Sequence, residues 1–263
     1  MRKVRSGKKL GFWFLLAVCL LRPFMLLFTR RDWQGREHLR AQVRPDGTQE
    51  GIVVCPNHIS WFDPLQCAHV LYDNGRPPRF LGKESVFRIP VAGRIIRGAG
   101  QIPVYRETAN AAESVRDAIA AVRRGECVVV YPEGTITRDP QLWPMTGRTG
   151  AARIALETGA PVIPMAQWGE QEVIRPYTNE FRILPRKTMH VVAGPAVDID
   201  DLRGKPLDTD LLQEATDRLV DAIVVCGDID AVVRRVADHH DAGADHVCVQ
   251  VLTPQGAELP IRE

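Results

Sequence analysis

A chain of 263 residues, with 45% hydrophobic and 25% charged side chains, has the apolar fraction of an ordinary globular protein and can bury one large core or two small ones. Its formal net charge of +2 says little about partners, but no basic-aromatic surface points to nucleic acid and no glycine-rich fingerprint points to a nucleotide cofactor. The six cysteines, at positions 19, 55, 67, 127, 226 and 248, form no C-x-x-C pair, so they carry no metal or redox signature, and a reducing cytoplasm is the simpler setting.

The first 34 residues read as a membrane-associating segment. Arg2, Lys3, Arg5, Lys8 and Lys9 precede an apolar stretch, and Arg30 and Arg31 follow it. Leu10 to Phe28 would reach about 28 Å as one helix, nearly a bilayer core, but Arg22 and Pro23 interrupt it. Two short pieces, Leu10 to Leu21 and Phe24 to Phe28, fit an interfacial or shallowly re-entrant anchor better than a straight span. A secretory signal is the competing reading, although no small-x-small cleavage pattern precedes Arg30; a buried core helix is another.

The most informative stretch is Asn57-His58-Ile59-Ser60-Trp61-Phe62-Asp63-Pro64, which follows the apolar run Ile52 to Cys55. Five positions along a continuous α-helix leave two side chains about 140° apart. His58 and Asp63 can therefore meet only if His58 lies in the turn before a helix that begins near Ser60, with Ser60 as a plausible N-cap. An aspartate bound to one ring nitrogen fixes the imidazole tautomer and leaves the other nitrogen free to take a proton. No protein nucleophile is evident nearby, which points to a substrate hydroxyl as the activated group. A loop histidine hydrogen-bonded to a helix start is the plainer alternative.

Further along, strands are predicted at Gly51 to Cys55, Arg79 to Gly82, Gly100 to Val104, Cys127 to Tyr131, Pro161 to Gln167, Phe181 to Leu184 and Met189 to Val192. Ala109 to Arg124 reads as a helix with Val115, Ile119 and Val122 on one side and Gly125 as its stop; Gly150 to Thr158 reads as another, ending before Gly159. The alternation predicts an α/β fold: a mixed, mostly parallel sheet of about seven strands flanked by helices. Arg106 follows one strand, and Tyr131-Pro132-Glu133-Gly134-Thr135 follows another. Strand ends are where α/β sheets bind ligands, and a guanidinium suits a phosphate.

In this order and at these intervals, four blocks (Asn57 to Pro64, Gly100 to Arg106, Tyr131 to Thr135 and Gly159 to Pro164) resemble the glycerolipid acyltransferases, specifically the 1-acylglycerol-3-phosphate acyltransferases. The similarity spans roughly Leu10 to Val225. It implies that His58 and Asp63 are catalytic, and that Arg106, Glu133, Gly134 and Thr135 bind or shape the pocket for the acceptor phosphate. Two departures stand out. The family usually places an arginine where this chain has Ile136, with Arg138 two residues later, and a lysine where this chain has Thr146, with Arg148 as the candidate substitute. An anion near the following helix start would also gain from unpaired N–H groups and the helix dipole.

The resemblance implies an O-acyltransferase that moves a fatty acyl group from acyl-CoA or acyl carrier protein to the sn-2 hydroxyl of 1-acylglycerol 3-phosphate. It implies no metal and no cofactor, with membrane lipids as partners at the cytoplasmic face of the cell membrane. Another lysolipid or glycerol 3-phosphate as acceptor, or a non-catalytic lipid-binding homologue, are the alternatives. The expected organisation is an anchor over 1–34, an acyltransferase domain over 35–225 and a non-catalytic extension over 226–263. Within that extension, Ile229, Val232, Val233 and Val236 mark a helix, and Asp241-Ala242-Gly243-Ala244-Asp245-His246-Val247 resembles the end of luciferase-like, deazaflavin-dependent oxidoreductases. Those enzymes are barrels, and a terminal fragment alone cannot build a barrel's layered interior.

Overall fold

A computed structural model of the chain describes residues 10–40, 43, 47–105, 111–140, 142–178 and 180–223. The basic residues before Leu10, Arg106 and the extension over 226–263 lie outside the described residues.

Burial on both faces explains the central strands. Along β2 (Ile52–Pro56), every residue is buried. Val53 and Cys55 enter one core with Val128 and Val162; Ile52 and Val54 enter a second with Cys127, Val129 and Ile163. This two-sided alternation is what a central strand of a helix-covered sheet requires. Besides β2, the sheet contains β1 (Thr29–Gln34), β3 (Pro78–Lys83), β4 (Ile102–Val104), β5 (Cys127–Val129), β6 (Val162–Trp168) and β7 (Lys187–Ala193). Their order is β1-β7-β6-β2-β5-β3-β4. Every pairing is parallel except β6 with β7, so the sheet is mixed and mostly parallel, as expected.

One expected strand is absent and one unexpected strand takes its place. Phe181 to Leu184 forms no strand, only an isolated bridge between Ile174 and Phe181. The seventh strand is β1, whose basic and polar sequence, Thr29-Arg30-Arg31-Asp32-Trp33-Gln34, has no apolar alternation because it lies at the sheet edge. Its pairing with β7 carries the sheet across the domain boundary expected between residues 34 and 35.

The first core is covered by α5 (Ala111–Arg123), α6 (Gly150–Thr158) and α7 (Thr209–Ile223); the second is covered by α2 (Asp63–Asp73). Gly159, at φ 70°, supplies the left-handed stop of α6. Short helices α3 (Glu84–Phe87) and α4 (Ala92–Gly98) connect β3 to β4.

The N-terminal segment departs from the broken anchor expected. It forms one helix, α1 (Phe12–Phe28), with Pro23 inside it. Arg22 and Pro23 are both exposed, and the Arg22 Nε reaches Asp73 Oδ1 of α2 at 2.9 Å, so the charge leaves the apolar face without breaking the helix. Pro23 forfeits one main-chain bond on the solvent side, where water can satisfy the freed carbonyl. Seventeen residues extend about 25 Å. No described helix is long and apolar enough to cross a membrane.

Candidate active site

Parallel pairing aligns the C-terminal ends of β2, β5 and β6, and the three segments leaving those ends meet there. From β2 comes Asn57-His58; from β5 comes Tyr131-Pro132-Glu133; from β6 comes Gly169-Glu170. A reciprocal brace locks the first to the third. The Gln167 N–H donates to Asn57 Oδ1 at 2.8 Å, Asn57 Nδ2 donates to the Gln167 carbonyl at 3.0 Å, and Gln167 Nε2 donates to the Asn57 carbonyl at 3.0 Å.

His58 lies in the turn before α2, as the geometry of the pair demands, and its Nδ1 is 2.8 Å from Asp63 Oδ2. Asp63 is the first residue of α2 and is fully buried. The same Oδ2 accepts the N–H of Ile59 at 2.6 Å and of Ser60 at 2.8 Å, so one carboxylate oxygen holds the whole turn. Burial pushes the Asp63 carboxyl up, and these N–H bonds oppose the shift. A carboxylate at a helix N-terminus is further favoured by the dipole. With Nδ1–H donated to Asp63, Nε2 is the nitrogen left to take a proton, and the imidazole keeps 12% of its side chain exposed.

Ser60 is not the N-cap expected of it; Phe62 holds that position. The Ser60 hydroxyl accepts the Phe62 N–H at 3.0 Å and lies 2.7 Å from the Ile174 carbonyl and 3.1 Å from that of Glu170. It therefore ties the His58 turn to the segment after β6. The helix starts later than its sequence suggests because Pro64 at the second helical position fits only near an N-terminus.

Glu133 is engaged within the protein. Its Oε1 accepts the His58 N–H at 3.0 Å and its Oε2 accepts the Met145 N–H at 3.1 Å, which fastens the loop before α6 to the His58 turn. Burial pushes its carboxyl up, against those two bonds. Both of its oxygens are engaged, and a carboxylate would repel a phosphate.

Gly134 adopts φ 71°, and a Cβ there would come within 3.0 Å of Arg148 Cδ and Nε. The Arg148 side chain thus lies across the Pro-Glu-Gly-Thr turn, held also by its own N–H to the Pro132 carbonyl at 2.8 Å. Thr135 is half-buried in the same turn, and Arg138 is exposed after it. Ile136, at the place where an arginine is usual, is buried, and Tyr177 donates its hydroxyl to the Ile136 carbonyl at 2.6 Å. β4 runs parallel to β3 and delivers its C-terminus at the same sheet edge; Arg106, two residues after it, lies outside the described residues.

Three participants were not singled out from the sequence. Tyr131 stacks on the His58 ring with centroids 4.2 Å apart and fixes its plane. Gln167 makes the brace, and Glu170 is fully buried in the turn after β6. All three follow or end strands; strand-end position was the available signal, but the apolar runs beside them carried the reading. Among the described residues no cluster of side chains suits a metal ion. Cys19, Cys55, Cys67 and Cys127 are free, and burial pushes the Cys55 and Cys127 thiols up to about 12, which leaves them inert.

An α/β sheet that brings a His–Asp pair and a Pro-Glu-Gly-Thr turn to one edge is the arrangement expected of a glycerolipid acyltransferase. Residues 30–168, a little over half of the chain, match the family model described as Acyltransferase, and the chain belongs to that family.

Among curated relatives, the chloroplastic 1-acyl-sn-glycerol-3-phosphate acyltransferase BAT2 of Brassica napus is 30% identical over 56% of this chain and 40% of its own length. The 1-acyl-sn-glycerol-3-phosphate acyltransferase of Borreliella burgdorferi is 29% identical over 51% and 49%. The lyso-ornithine lipid O-acyltransferase of Pseudomonas aeruginosa is 28% identical over 60% and 53%. The chain spans about half the length of these relatives, or less. The crystal structure of PlsC, the 1-acyl-sn-glycerophosphate acyltransferase of Thermotoga maritima, superposes with a TM-score of 0.56 at 21% identity, covering 82% of this chain and 81% of that one. The two share a fold.

Proposed function

We propose that this protein transfers a fatty acyl group from a thioester donor, acyl-CoA or acyl carrier protein, to the sn-2 hydroxyl of 1-acylglycerol 3-phosphate, making phosphatidic acid. The observation that carries the reading is the His58–Asp63 pair at 2.8 Å on the central strand edge of an acyltransferase-family fold. The relatives named as 1-acyl-sn-glycerol-3-phosphate acyltransferases support the acceptor.

His58 Nε2 takes the proton of the acceptor hydroxyl as its oxygen attacks the thioester carbonyl. Asp63, fixed by two main-chain N–H groups, stabilises the imidazolium that forms. Collapse of the tetrahedral oxyanion breaks the carbon–sulfur bond, and the imidazolium returns its proton to the leaving sulfur. The acyl group ends on the hydroxyl oxygen, the thiol departs, and His58 is neutral again. Arg148, across Gly134, is assigned to the acceptor phosphate together with Arg106 and Arg138.

A second acceptor reading has its own support. Ile136 removes one cation from the expected phosphate set and is buried where no headgroup can reach it. A lysolipid without a phosphate would need fewer cations, and one relative is named for lyso-ornithine lipid. Transfer of labelled acyl thioester to lysophosphatidate, compared with other lysolipids and with His58→Ala as control, tests both readings. Lysophosphatidate preference with a dead His58→Ala variant supports the first; preference for a phosphate-free acceptor replaces it with the second.

The protein is further proposed to act peripherally at the cytoplasmic face of the cell membrane. α1 turns Phe12, Leu15, Leu20 and Leu27 to solvent, the first 71% and the last 63% exposed, along one side of a helix whose other side packs on the domain. Exposed Ile89 and Val91 continue this apolar surface beside Trp13, with Arg94 and Arg97 lining the same groove of about 610 Å³. An apolar stripe flanked by guanidinium groups suits anionic headgroups over an acyl boundary.

A further inference from the structure

Apart from α1 and its groove, four large apolar side chains stand in solvent: Trp61, Tyr177, Phe181 and Leu184, each more than half exposed. Exposure alone decides nothing, since protein surfaces carry single apolar residues. What sets these four apart is where their backbone is held. Trp61 follows Ser60 in the His58 turn, and the Ser60 hydroxyl lies 2.7 Å from the Ile174 carbonyl. Ile174 pairs with Phe181 in an antiparallel bridge, closed by the Arg182 N–H to the Val173 carbonyl at 2.8 Å. Tyr177 keeps φ 57°, a left-handed conformation that ordinarily favours glycine, and its hydroxyl is bound to the Ile136 carbonyl just after the Pro-Glu-Gly-Thr turn. Arg186 Nη2 donates to the Leu26 and Thr29 carbonyls at 3.0 and 2.7 Å, which fastens the stretch after Leu184 to the C-terminal end of α1.

The segment after β6 is therefore tied to the His58 turn, to the Pro-Glu-Gly-Thr turn and to α1. Beneath it lies a small core of its own, made by Met25 of α1, Phe62 of the His58 turn, Val173 and Met189, with Leu65 and Ile174 against them. None of the four exposed side chains belongs to that core, so packing does not account for them. The charges beside them are unbalanced in one direction. Arg182 pairs with Glu180 at 2.9 Å and Lys187 with Glu172 at 3.7 Å. Arg175 is exposed with no acid against it among the described residues, and Arg186 meets only carbonyls. Aromatic and leucine side chains with spare guanidinium groups and no spare carboxylate fit the boundary of an anionic phospholipid layer.

We propose that Trp61, Tyr177, Phe181 and Leu184 are the lipid-facing mouth of the acyltransferase site: they enter an anionic phospholipid layer and let an acyl chain pass between that layer and His58 without crossing water. Arg175 and Arg186 meet the headgroups. The inference rests on the membrane reading above and adds to it a contact separate from the α1 stripe; α1 holds the surface, and this mouth delivers the chain.

Two measurements on the full chain test it. Brominated acyl chains in vesicles of phosphatidylcholine with phosphatidylglycerol should quench Trp61, read as the quenching that Trp61→Phe loses; quenching of Trp13, beside α4, remains in that variant and reports α1 alone. The double variant Phe181→Ser, Leu184→Ser is expected to lower transfer to lysophosphatidate carried in those vesicles about tenfold, with transfer to a short-chain lysophosphatidate dispersed in water within about twofold of wild type. The proposal is overturned if Trp61→Phe loses no quenching, or if the double variant keeps full transfer in vesicles. It is overturned equally if transfer to the dispersed acceptor falls as far, which would make these side chains part of the acceptor's own pocket. A lipid-free dimer that the double variant abolishes, read by light scattering, would assign the surface to a second copy of the chain and overturn it too. Vesicle binding with Trp13 quenched and Trp61 not would leave the α1 reading standing and overturn only the mouth. A wild type inactive on every lysolipid would sink the reaction reading, and Trp61 quenching would still decide this one.

Discussion

Two His–Asp pairs in this protein have the same 2.8 Å separation between Nδ1 and Oδ2: His58 with Asp63, and His190 with Asp32. The second joins neighbouring residues of β1 and β7 on the sheet surface, with side chains 47% and 45% exposed. The first has an aspartate that is fully buried and bound by two further N–H groups, and an imidazole clamped by Tyr131. Distance alone does not make a catalytic base. Water competes for Asp32 and its charge is screened; Asp63 has no water-facing alternative and must act on His58.

The largest break in this comparison is His58→Ala, expected to lower acyl transfer about 10³-fold or more, measured with labelled thioester and lysophosphatidate. Loss of less than tenfold would remove His58 as the base. Asp63→Asn should cost about 10²- to 10⁴-fold in kcat, because an amide can present an N–H toward Nδ1 and reverse the tautomer while keeping the shape. Arg148→Ala and Arg106→Ala are expected to raise the KM for lysophosphatidate about tenfold with a smaller effect on kcat, since under the proposed assignment each removes a cation for the acceptor phosphate rather than the base.

A fourth prediction concerns pH and stability. In the unfolded chain Glu170 ionises near the ordinary glutamate value of about 4.3. In the folded protein it holds its proton to higher pH, so above that value the folded state carries the extra proton and stability falls as pH rises toward the folded value. Glu170→Gln should flatten that fall: denaturant unfolding curves of the two proteins should diverge above pH 5 in favour of the variant and converge near pH 4. Smallest of all, His190→Ala should leave turnover unchanged and shift stability by less than about 1 kcal/mol.

The geometry of the candidate site that was legible in the sequence is local. His58 and Asp63 are five positions apart, and the required turn before α2 is present. The central strands were legible because burial on two faces leaves continuous apolar runs, as in Ile52–Pro56 and Val162–Trp168. Edge strand β1 was not, because pairing on one side only sets no demand on its side chains. The continuity of α1 through Pro23 was not legible either: Arg22 is exposed and its Nε reaches Asp73, fifty-one positions later, so its charge leaves the apolar face without breaking the helix. Of the segments given other readings, the extension over 226–263 lies outside the described residues.

By itself the sequence determined the fold class, the pairing of His58 with Asp63, and the order of the four blocks, because periodicity, turn chemistry and short spacings are properties of neighbouring residues. Only the tertiary structure decided which carboxylates surround that pair. Glu133 and Glu170 stand 75 and 112 positions from His58, and parallel strand pairing alone brings them to one edge. The protonation of a buried acid depends on the donors and charges enclosed with it, and those are chosen by the fold.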